Sequence, residues 1–557
     1  MANIILLNEQ TKSVKKLFLY TIIFSSALTI YADDENYNGQ DVSGRNFAGS
    51  DRQYSTWVGT TAIGTIFSSS SNKGVSYKYA NFTNAILVNA SFEMADDFAS
   101  ANFTNAVING ANFSYSGFTK EQLYSTKSYK NKDISGIDFS GCSFRNCDFS
   151  GQDLTNAKFS FSELDNANFT NAVITGADFS LTAGRFTKDM LYSTKSYKDK
   201  DLSGINLEYL ALTNLDFSGQ NLTNANINFA HDISSINFTD AIINGATIGS
   251  NTPSVLTKEQ LYSTKSYKDK NLSGVVLTNT RKNNDMRAWD FSGQNLVNSG
   301  FISLYPTQGS TNIDLTNANF SNANLANGNF TGVTLENADF TGSDLRGINM
   351  NRVTGTYKTK NTIMADGRIE NFSMVSSDDN FSIRKYAPVS EGGEMISAKI
   401  SEAAAISGGA ALTLENGAEL EVLNAADLTV ENGSSIIINT DADSSTSFKV
   451  NSGGGLAFEN GAILEINVVS DLSAQDILQI EIMEFAENAS IAGLDALVKG
   501  ETILLNVNGS EWLGEWDYAL ENNQMLITVS VPEPAVCAAA IGVLALGLAL
   551  RYRNYKN

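Results

Sequence analysis

Bulky apolar residues recur at every fifth position over long stretches of the chain, most regularly at Ile134, Phe139, Phe144, Phe149, Leu154, Phe159, Leu164, Phe169, Ile174 and Phe179. Two positions before these centres stand mostly small or apolar residues, among them Ile137, Cys142, Cys147, Ala157, Ser162, Ala167, Ala172 and Ala177, with Gln152 as the exception. The rhythm returns at Phe82, Leu87 and Phe92, at Phe217, Leu222 and Ile227, and at Leu315, Phe320, Leu325, Phe330, Leu335, Phe340, Leu345 and Met350. A period of five matches neither the helical repeat nor the two-residue alternation of a strand. It suits a chain that turns a corner every five residues, one small and one large side chain pointing inward on each side. Such units bury their apolar faces only against neighbours, so stability is local and additive along the stack.

A longer repeat lies over the short one. Residues 118–136 (FTKEQLYSTKSYKNKDISG) return as 186–204 and as 256–274 with few changes. Thr119 with Gln122, and Thr257 with Gln260, have the spacing of a helix-opening capping box. Each segment therefore predicts a short helix and loop that leave the stack, which resumes at Ile134, Leu202 and Leu272. Every copy carries two tyrosines and two lysines in its LYSTKSYK core, at Tyr124, Lys127, Tyr129 and Lys130 in the first. These groups are equipped to stack on sugars or to cap acidic neighbours; the plainer role is packing against the flank of the stack.

The five-residue rhythm stops after Met350, and residues 351–404 predict a cap and linker. From about 405 a new period appears in the pairs Leu412/Leu414, Leu420/Val422, Leu428/Val430 and Ile436/Ile438, each eight residues after the last. Asn416-Gly417, Asn432-Gly433 and Asn460-Gly461 supply turn chemistry between short alternating strands. A small β-solenoid, similar to autotransporter passengers, and an antiparallel meander both fit. Residues 500–531 predict two or three closing strands, with Trp512 and Trp516 as packing anchors.

Units such as Ala-Asn-Phe-Thr-Asn (80–84 and 101–105), Ala-Asp-Phe-Thr-Gly (338–342) and Ser-Asp-Leu-Arg-Gly (343–347) resemble the pentapeptide-repeat family, usually written A(D/N)LXX, over roughly residues 40–350. The resemblance implies a right-handed quadrilateral β-helix with four repeats per coil. The Asp and Asn residues just before the centres are then chiefly a solvated position. The expected fold class is all-β: this solenoid with short helical excursions, a second β-solenoid-like or β-rich module, and a C-terminal membrane helix.

Both ends read as addresses. Lys12, Lys15 and Lys16 precede the apolar run LFLYTIIFSSALTIYA, followed by Asp33, Asp34 and Glu35. This order is that of a secretory signal peptide cut after Ala32; a buried helix or an uncleaved anchor is the other reading. At the far end, Pro532-Glu533-Pro534 is followed by the apolar AVCAAAIGVLALGLAL and by basic Arg551, Arg553 and Lys556. This tail resembles the PEP-CTERM sorting signal, which implies recognition by an exosortase-type membrane protease; an ordinary single-pass tail anchor is the alternative. The domain plan is a signal peptide at 1–32, a pentapeptide-repeat β-helix at 33–350, a cap or linker at 351–404, a β-rich module at 405–531 and a sorting signal at 532–557.

Composition narrows the chemistry. The 557 residues carry a net charge of -22, which disfavours the phosphate contacts that dominate nucleic-acid affinity. Three cysteines, Cys142, Cys147 and Cys537, make no disulfide framework; the first two, on successive inward positions, are expected as free buried thiols. The single histidine, His231, falls two residues before Ile233 and is expected as a core residue of a distorted coil. No nucleophile elbow, Walker loop, zinc pair or calcium loop is present, so no catalytic, cofactor-binding or metal residue is assigned. A glycosidase-type carboxylate pair remains open to any two acidic residues that the fold unites. The expected function is that of a noncatalytic exported scaffold of the cell surface or extracellular matrix, held transiently at the membrane by its C-terminal helix, with exopolysaccharide or other surface proteins as partners. A carbohydrate-binding or carbohydrate-active β-helix is the alternative, and a gyrase-binding acidic DNA mimic the third.

Overall fold

The computed structural model describes residues 36–530 apart from 49–51, 53–54, 69–75, 96–97, 183–184, 211–212, 251–254, 280–283, 304–312, 391–392, 424–425, 441–445, 452–453, 460–461, 469–476, 486–489, 493–502, 508–509, 512–515 and 522–523, with side chains up to residue 467. The leader ending at Ala32, the segment from Pro532 to the basic tail, and the Trp512 and Trp516 side chains lie outside the described residues. Among the described residues no helix is long and apolar enough to cross a membrane. The chain divides into two packing units after Ala211.

In the first unit, Asp138 bridges in parallel to Lys158 and Lys158 to Asp178. A coil therefore repeats every 20 residues, and five-residue sides give it four walls. The local chemistry that turns each corner is written in the repeat. Three residues after a centre, the backbone N–H donates to the centre's carbonyl, as Gln152 does to Phe149 at 3.1 Å and Ala157 to Leu154 at 2.9 Å. The third residue of the turn has a left-handed backbone, with φ of 63° at Gly151 and 58° at Asn156, where Gly and Asn are the residues that fit. Before the centre stands an Asp or Asn whose Oδ1 accepts the N–H two residues on: Asp148 from Ser150 at 3.0 Å, Asp153 from Thr155 at 2.9 Å and Asn168 from Thr170 at 3.0 Å. These residues are thus turn builders, more than the solvated position expected from the sequence.

Inside the coils the centres stack ring on ring. Phe149 is fully buried, lies parallel to Phe169 at 5.1 Å and meets Phe159 edge-on at 5.3 Å. Burial of each such ring contributes on the order of 1.5–3 kcal/mol. Gln152, the exception among the small inward positions, is buried and donates its Nε2 to the Tyr129 carbonyl at 3.1 Å.

The inserted segments correct one expectation. Each is a pair of short helices, Lys120–Ser125 with Lys127–Lys130, Lys188–Ser193 with Lys195–Lys198, and in the second unit Lys258–Ser263 with Lys265–Lys268. They do not leave the stack. The Asn105 N–H donates to the Ser125 carbonyl at 2.9 Å and the Lys127 N–H to the Ala106 carbonyl at 2.9 Å, and Leu123 is fully buried in the place of a centre. The helix pair is a side of the coil, because its exposed backbone groups continue the ladder of the coil before it.

The second unit begins with the same coils; Asn319 bridges Asp339 and Asn324 bridges Asp344. His231 departs from its expected place: it is exposed, and the adjoining turn Ile233–Ser235 buries Ile233 instead. The one-residue slip moves the aliphatic side chain inward, where an imidazole would lose its hydration. Beyond the last repeats the parallel stacking continues through bridges from Asp344 to Ile363, Arg368 to Lys399 and Met374 to Ile406. Three parallel sheets then form the walls of a second solenoid. One runs through Asn380–Ile383, Ala411–Leu414, Ser435–Thr440, Ile463–Val468 and Ile503–Val507; the next through Ala398–Ile400, Glu419–Val422, Ser447–Val450 and Ile477–Phe485; the third through Ala404–Ile406, Asp427–Val430, Gly455–Phe458 and Ser490–Ala492. The eight-residue pairs are successive walls, and Leu412 lies beside Ile436 one coil later. The second solenoid ends in antiparallel pairing, where Gln524–Ser530 pairs with Ile477–Phe485 and with Trp516–Glu521.

Candidate functional site

The repeated tyrosine and lysine cluster is the sequence-singled feature that the described residues contain in full. Thr119 caps the first helix: its Oγ1 accepts the Gln122 N–H at 3.2 Å while Gln122 Oε1 accepts the Thr119 N–H at 2.9 Å. The Gln122 amide then donates to the Phe98 and Ala101 carbonyls of the preceding coil at 2.7 and 2.8 Å. Thr126, fully buried, ends that helix by donating to the Leu123 carbonyl and starts the next by accepting the Tyr129 N–H.

This double cap sets the two tyrosines side by side, ring centroids 4.7 Å apart, 4.3 Å for Tyr192 and Tyr197 and 4.1 Å for Tyr262 and Tyr267. In the first and third copies the hydroxyls clasp the backbone N–H and carbonyl of one residue in the following coil. Tyr124 accepts the Asp148 N–H at 2.7 Å and Tyr129 donates to the Asp148 carbonyl at 2.7 Å; Tyr262 and Tyr267 hold Asp290 in the same way. Burial pushes the Tyr124 phenol up to about 12 and raises that of Tyr129 further. The last lysine of each LYSTKSYK core is similarly engaged. Lys130 donates to Asn105 Oδ1 and the Ser125 carbonyl at 2.9 and 2.7 Å, Lys198 to Asn171 Oδ1 and the Ser193 carbonyl at 2.8 and 2.7 Å, and Lys268 meets Asp240 at 2.7 Å. The cluster ties coil to coil; its tyrosine hydroxyls and these lysines point at the protein's own backbone and side chains.

Cys142 and Cys147 are free and buried. Burial raises their thiols to about 11 and about 12, far from the thiolate form that attacks or binds metal.

A second constellation lay unrecognised within the repeat Ser343-Asp-Leu-Arg-Gly. Arg346 and Asp344 are both fully withdrawn from solvent. The guanidinium donates to Asp344 through Nε at 3.0 Å and Nη2 at 2.6 Å, to the Ile396 carbonyl at 3.0 Å and to the Arg384 carbonyl at 2.6 Å, and it lies 5.3 Å from the Tyr386 ring centroid. The Tyr386 hydroxyl donates to Asn327 Oδ1 at 2.7 Å, and Asn327 Nδ2 to the Ala387 carbonyl at 2.7 Å. The arrangement straps residues 384–387 and 396 across the last pentapeptide coils. Its sequence signal is weak: the turn position of Arg346 mostly holds Ser or Thr, but Arg145 and Arg287 occupy it as well.

The sorting residues Pro532, Glu533, Pro534, Arg551 and Arg553 and the cleavage position Ala32 lie outside the described residues, so no geometry attaches to them.

Residues 133–171, 153–182, 201–231 and 313–352 match the family model described as pentapeptide repeats, in 8 copies. Comparison with curated proteins returned no match. Among solved structures the chain is similar to HetL, a pentapeptide repeat protein involved in heterocyst differentiation regulation in the cyanobacterium Nostoc sp. strain PCC 7120, at 14% identity and a TM-score of 0.14, covering 60% of this chain and 94% of HetL. It is also similar to a pentapeptide repeat protein of the Arabidopsis thaliana thylakoid lumen, at 20% identity and a TM-score of 0.11 over 24% of this chain and 69% of that one. QnrB1, a plasmid-mediated fluoroquinolone resistance protein, matches at 13% identity and a TM-score of 0.15 over 43% of this chain and 93% of its own. Residues 133–182, 201–231 and 313–352, with their five-residue, four-walled coils, are therefore pentapeptide repeats.

Proposed function

We propose that this protein is a noncatalytic exported scaffold of the cell surface or extracellular matrix, a right-handed quadrilateral β-helix continued by a second solenoid. The observation that carries the proposal is the fate of the repeated insert. Its tyrosines hold the next coil by its backbone and its Lys130 and Lys198 hold the coil below, so the most strongly repeated chemistry in the sequence stiffens the stack. The strap at Arg346 does the same where the pentapeptide coils give way to the second solenoid. A polyanionic body of this kind stays soluble and repels anionic surfaces. Export and anchoring rest on the two ends of the sequence, and an exosortase-type protease is the partner that the C-terminal resemblance implies.

Fractionation of the native cells, followed by mass spectrometry of the recovered protein, tests this. The expected result is protein in the surface or matrix fraction, beginning after Ala32 and lacking the segment after about Pro534. Cytoplasmic protein would overturn the export proposal, and surface protein still ending at Asn557 would replace sorting and release with a permanent tail anchor.

A further inference from the structure

One corner of the first unit breaks the rule that governs the others. The turn position two residues past each centre has a left-handed backbone, and three of the four corners fill it mainly with Asn or Gly: Asn105 and Asn171 on one, Asn156 and Gly176 on the next, Asn146 and Asn166 on the third, where Tyr79 is an exception. Along the fourth corner, successive coils carry Met94, Tyr115, Gly141, Phe161, Leu181 and Tyr209, with φ between 54° and 70°. They form one line: the Met94 N–H donates to the Ser114 carbonyl, that of Tyr115 to Ser140, that of Gly141 to Ser160, that of Phe161 to Ser180 and that of Leu181 to Glu208. Bulky side chains are disfavoured in this backbone region, and burial offers no compensation here. Met94 is 51% exposed, Tyr115 50%, Phe161 52% and Tyr209 39%. Backbone strain and exposed apolar surface coincide on one edge, the combination that points to a binding role.

The edge has a period. Its rings stand on every second coil, at Tyr115, Phe161 and Tyr209, separated by Gly141 and Leu181. With about 4.8 Å between stacked strands, the rings repeat every 9–10 Å or so. The glycine has a use, since a Cβ there would come within 2.4 Å of Tyr115 Cδ1 and Cε1; the tyrosine ring lies against the Gly141 backbone. Polar groups flank the line. Ser140 and Ser160 stand half-buried on one side, and on the other Ser143 donates to Glu163 at 2.8 Å beside Arg145.

From this edge we infer that the first unit binds a neutral, extended, β-linked polysaccharide strand, laid lengthwise along Tyr115, Phe161 and Tyr209. In an extended β-linked glycan the same face of the sugar ring recurs at every second residue, close to the spacing of the rings, and its axial C–H groups pack on aromatic faces while hydroxyls reach the flanking serines and carboxylate. A corner one side chain wide offers far less than the roughly 800 Å² per partner of a standard protein interface, whereas a single glycan strand is itself one residue wide. The net charge of -22 disfavours a polyanionic glycan or nucleic acid. The inference deepens the scaffold proposal by naming the partner, and rests on it for the encounter with such a polymer; binding by purified protein is read independently of where the cell places it.

Affinity electrophoresis of the full chain provides the test, in gels containing hydroxyethylcellulose, a β-linked glucan, or dextran, an α-linked one. The variant is Tyr115→Asn with Phe161→Asn and Tyr209→Asn, since Asn already serves the same backbone conformation at the other corners and preserves the fold. The parent should be retarded by hydroxyethylcellulose alone, and the triple variant should lose that retardation while melting at the same or a higher temperature. A parent that is not retarded, or a triple variant retarded equally, overturns the inference. So does a parent that forms dimers without glucan which the variant loses on size exclusion, because the edge is then a contact between copies.

Discussion

At the scale of single residues, a guanidinium withdrawn from water must find an acceptor for each of its nitrogens inside the protein. Arg346 does, with Asp344 and two carbonyls. Breaking a buried ion pair from one side leaves an uncompensated charge, which typically costs about 3–5 kcal/mol. Arg346→Met should therefore destabilise the second unit by about that amount in urea titration, and adding Asp344→Asn should recover part of the loss by removing the stranded carboxylate. An Arg346→Met protein with an unchanged transition would show that the strap contributes nothing. None of this was legible in Ser-Asp-Leu-Arg-Gly, which reads as one more repeat, because the acceptors at Arg384 and Ile396 belong to a segment without periodicity. The inward residues were legible: Phe149, Cys142 and Cys147 are buried as their spacing predicts. His231 was not, because a slip in the rhythm gives two registers and only packing chooses between them.

The helix pair is the element at which local signals succeeded and the wider placement failed. The capping boxes at Thr119 and Thr257 are present as the sequence predicts, since they depend only on residues three apart. The second helix of each pair, and its seat within the wall, depend on Leu123 replacing a coil centre and on carbonyls supplied by another coil. Thr126, Thr194 and Thr264 each join two helices and are all buried. Loss of such a cap costs about 0.5–2 kcal/mol, so Thr126→Ala should lower the unfolding free energy read from the urea transition of the first unit, and Thr264→Ala that of the second, by about that amount each. If either substitution is silent, the inserts are surface ornaments and not walls. In the second solenoid the eight-residue pairs gave the strands, but Asn416-Gly417 and Asn432-Gly433 turn between walls instead of closing hairpins. Both arrangements need a left-handed residue at the turn, so turn chemistry alone does not separate parallel from antiparallel.

For the whole molecule, burial acts in one direction on many acidic hydrogens. It raises Cys142 to about 11 and Cys147 and Tyr124 to about 12, and it raises Tyr267, Tyr357 and Tyr386 as well. Each group loses its proton more readily when unfolded, so the stability it confers is complete below its ordinary value and is lost as pH rises toward the folded one. Thermal melting should fall progressively above about pH 9, and a flat profile from there to pH 11 or so would contradict the burial described. On the acid side Asp379 is held down to about 2, first by the Val375 N–H and then by Lys360; its contribution is lost only as pH falls from the ordinary carboxylate range toward that value. The sequence by itself determined the repeat, its inward positions, its turn residues and the change of period near 405, because each follows from chemistry within a few neighbouring positions. Tertiary structure decided what needs a second coil: the helices as walls, the tyrosines clasping Asp148 and Asp290, the strap at Arg346, the parallel course of the second solenoid, and the alignment of Tyr115, Phe161 and Tyr209. Those residues lie 46 and 48 positions apart along the chain, and only the stacking of coils brings them onto one edge.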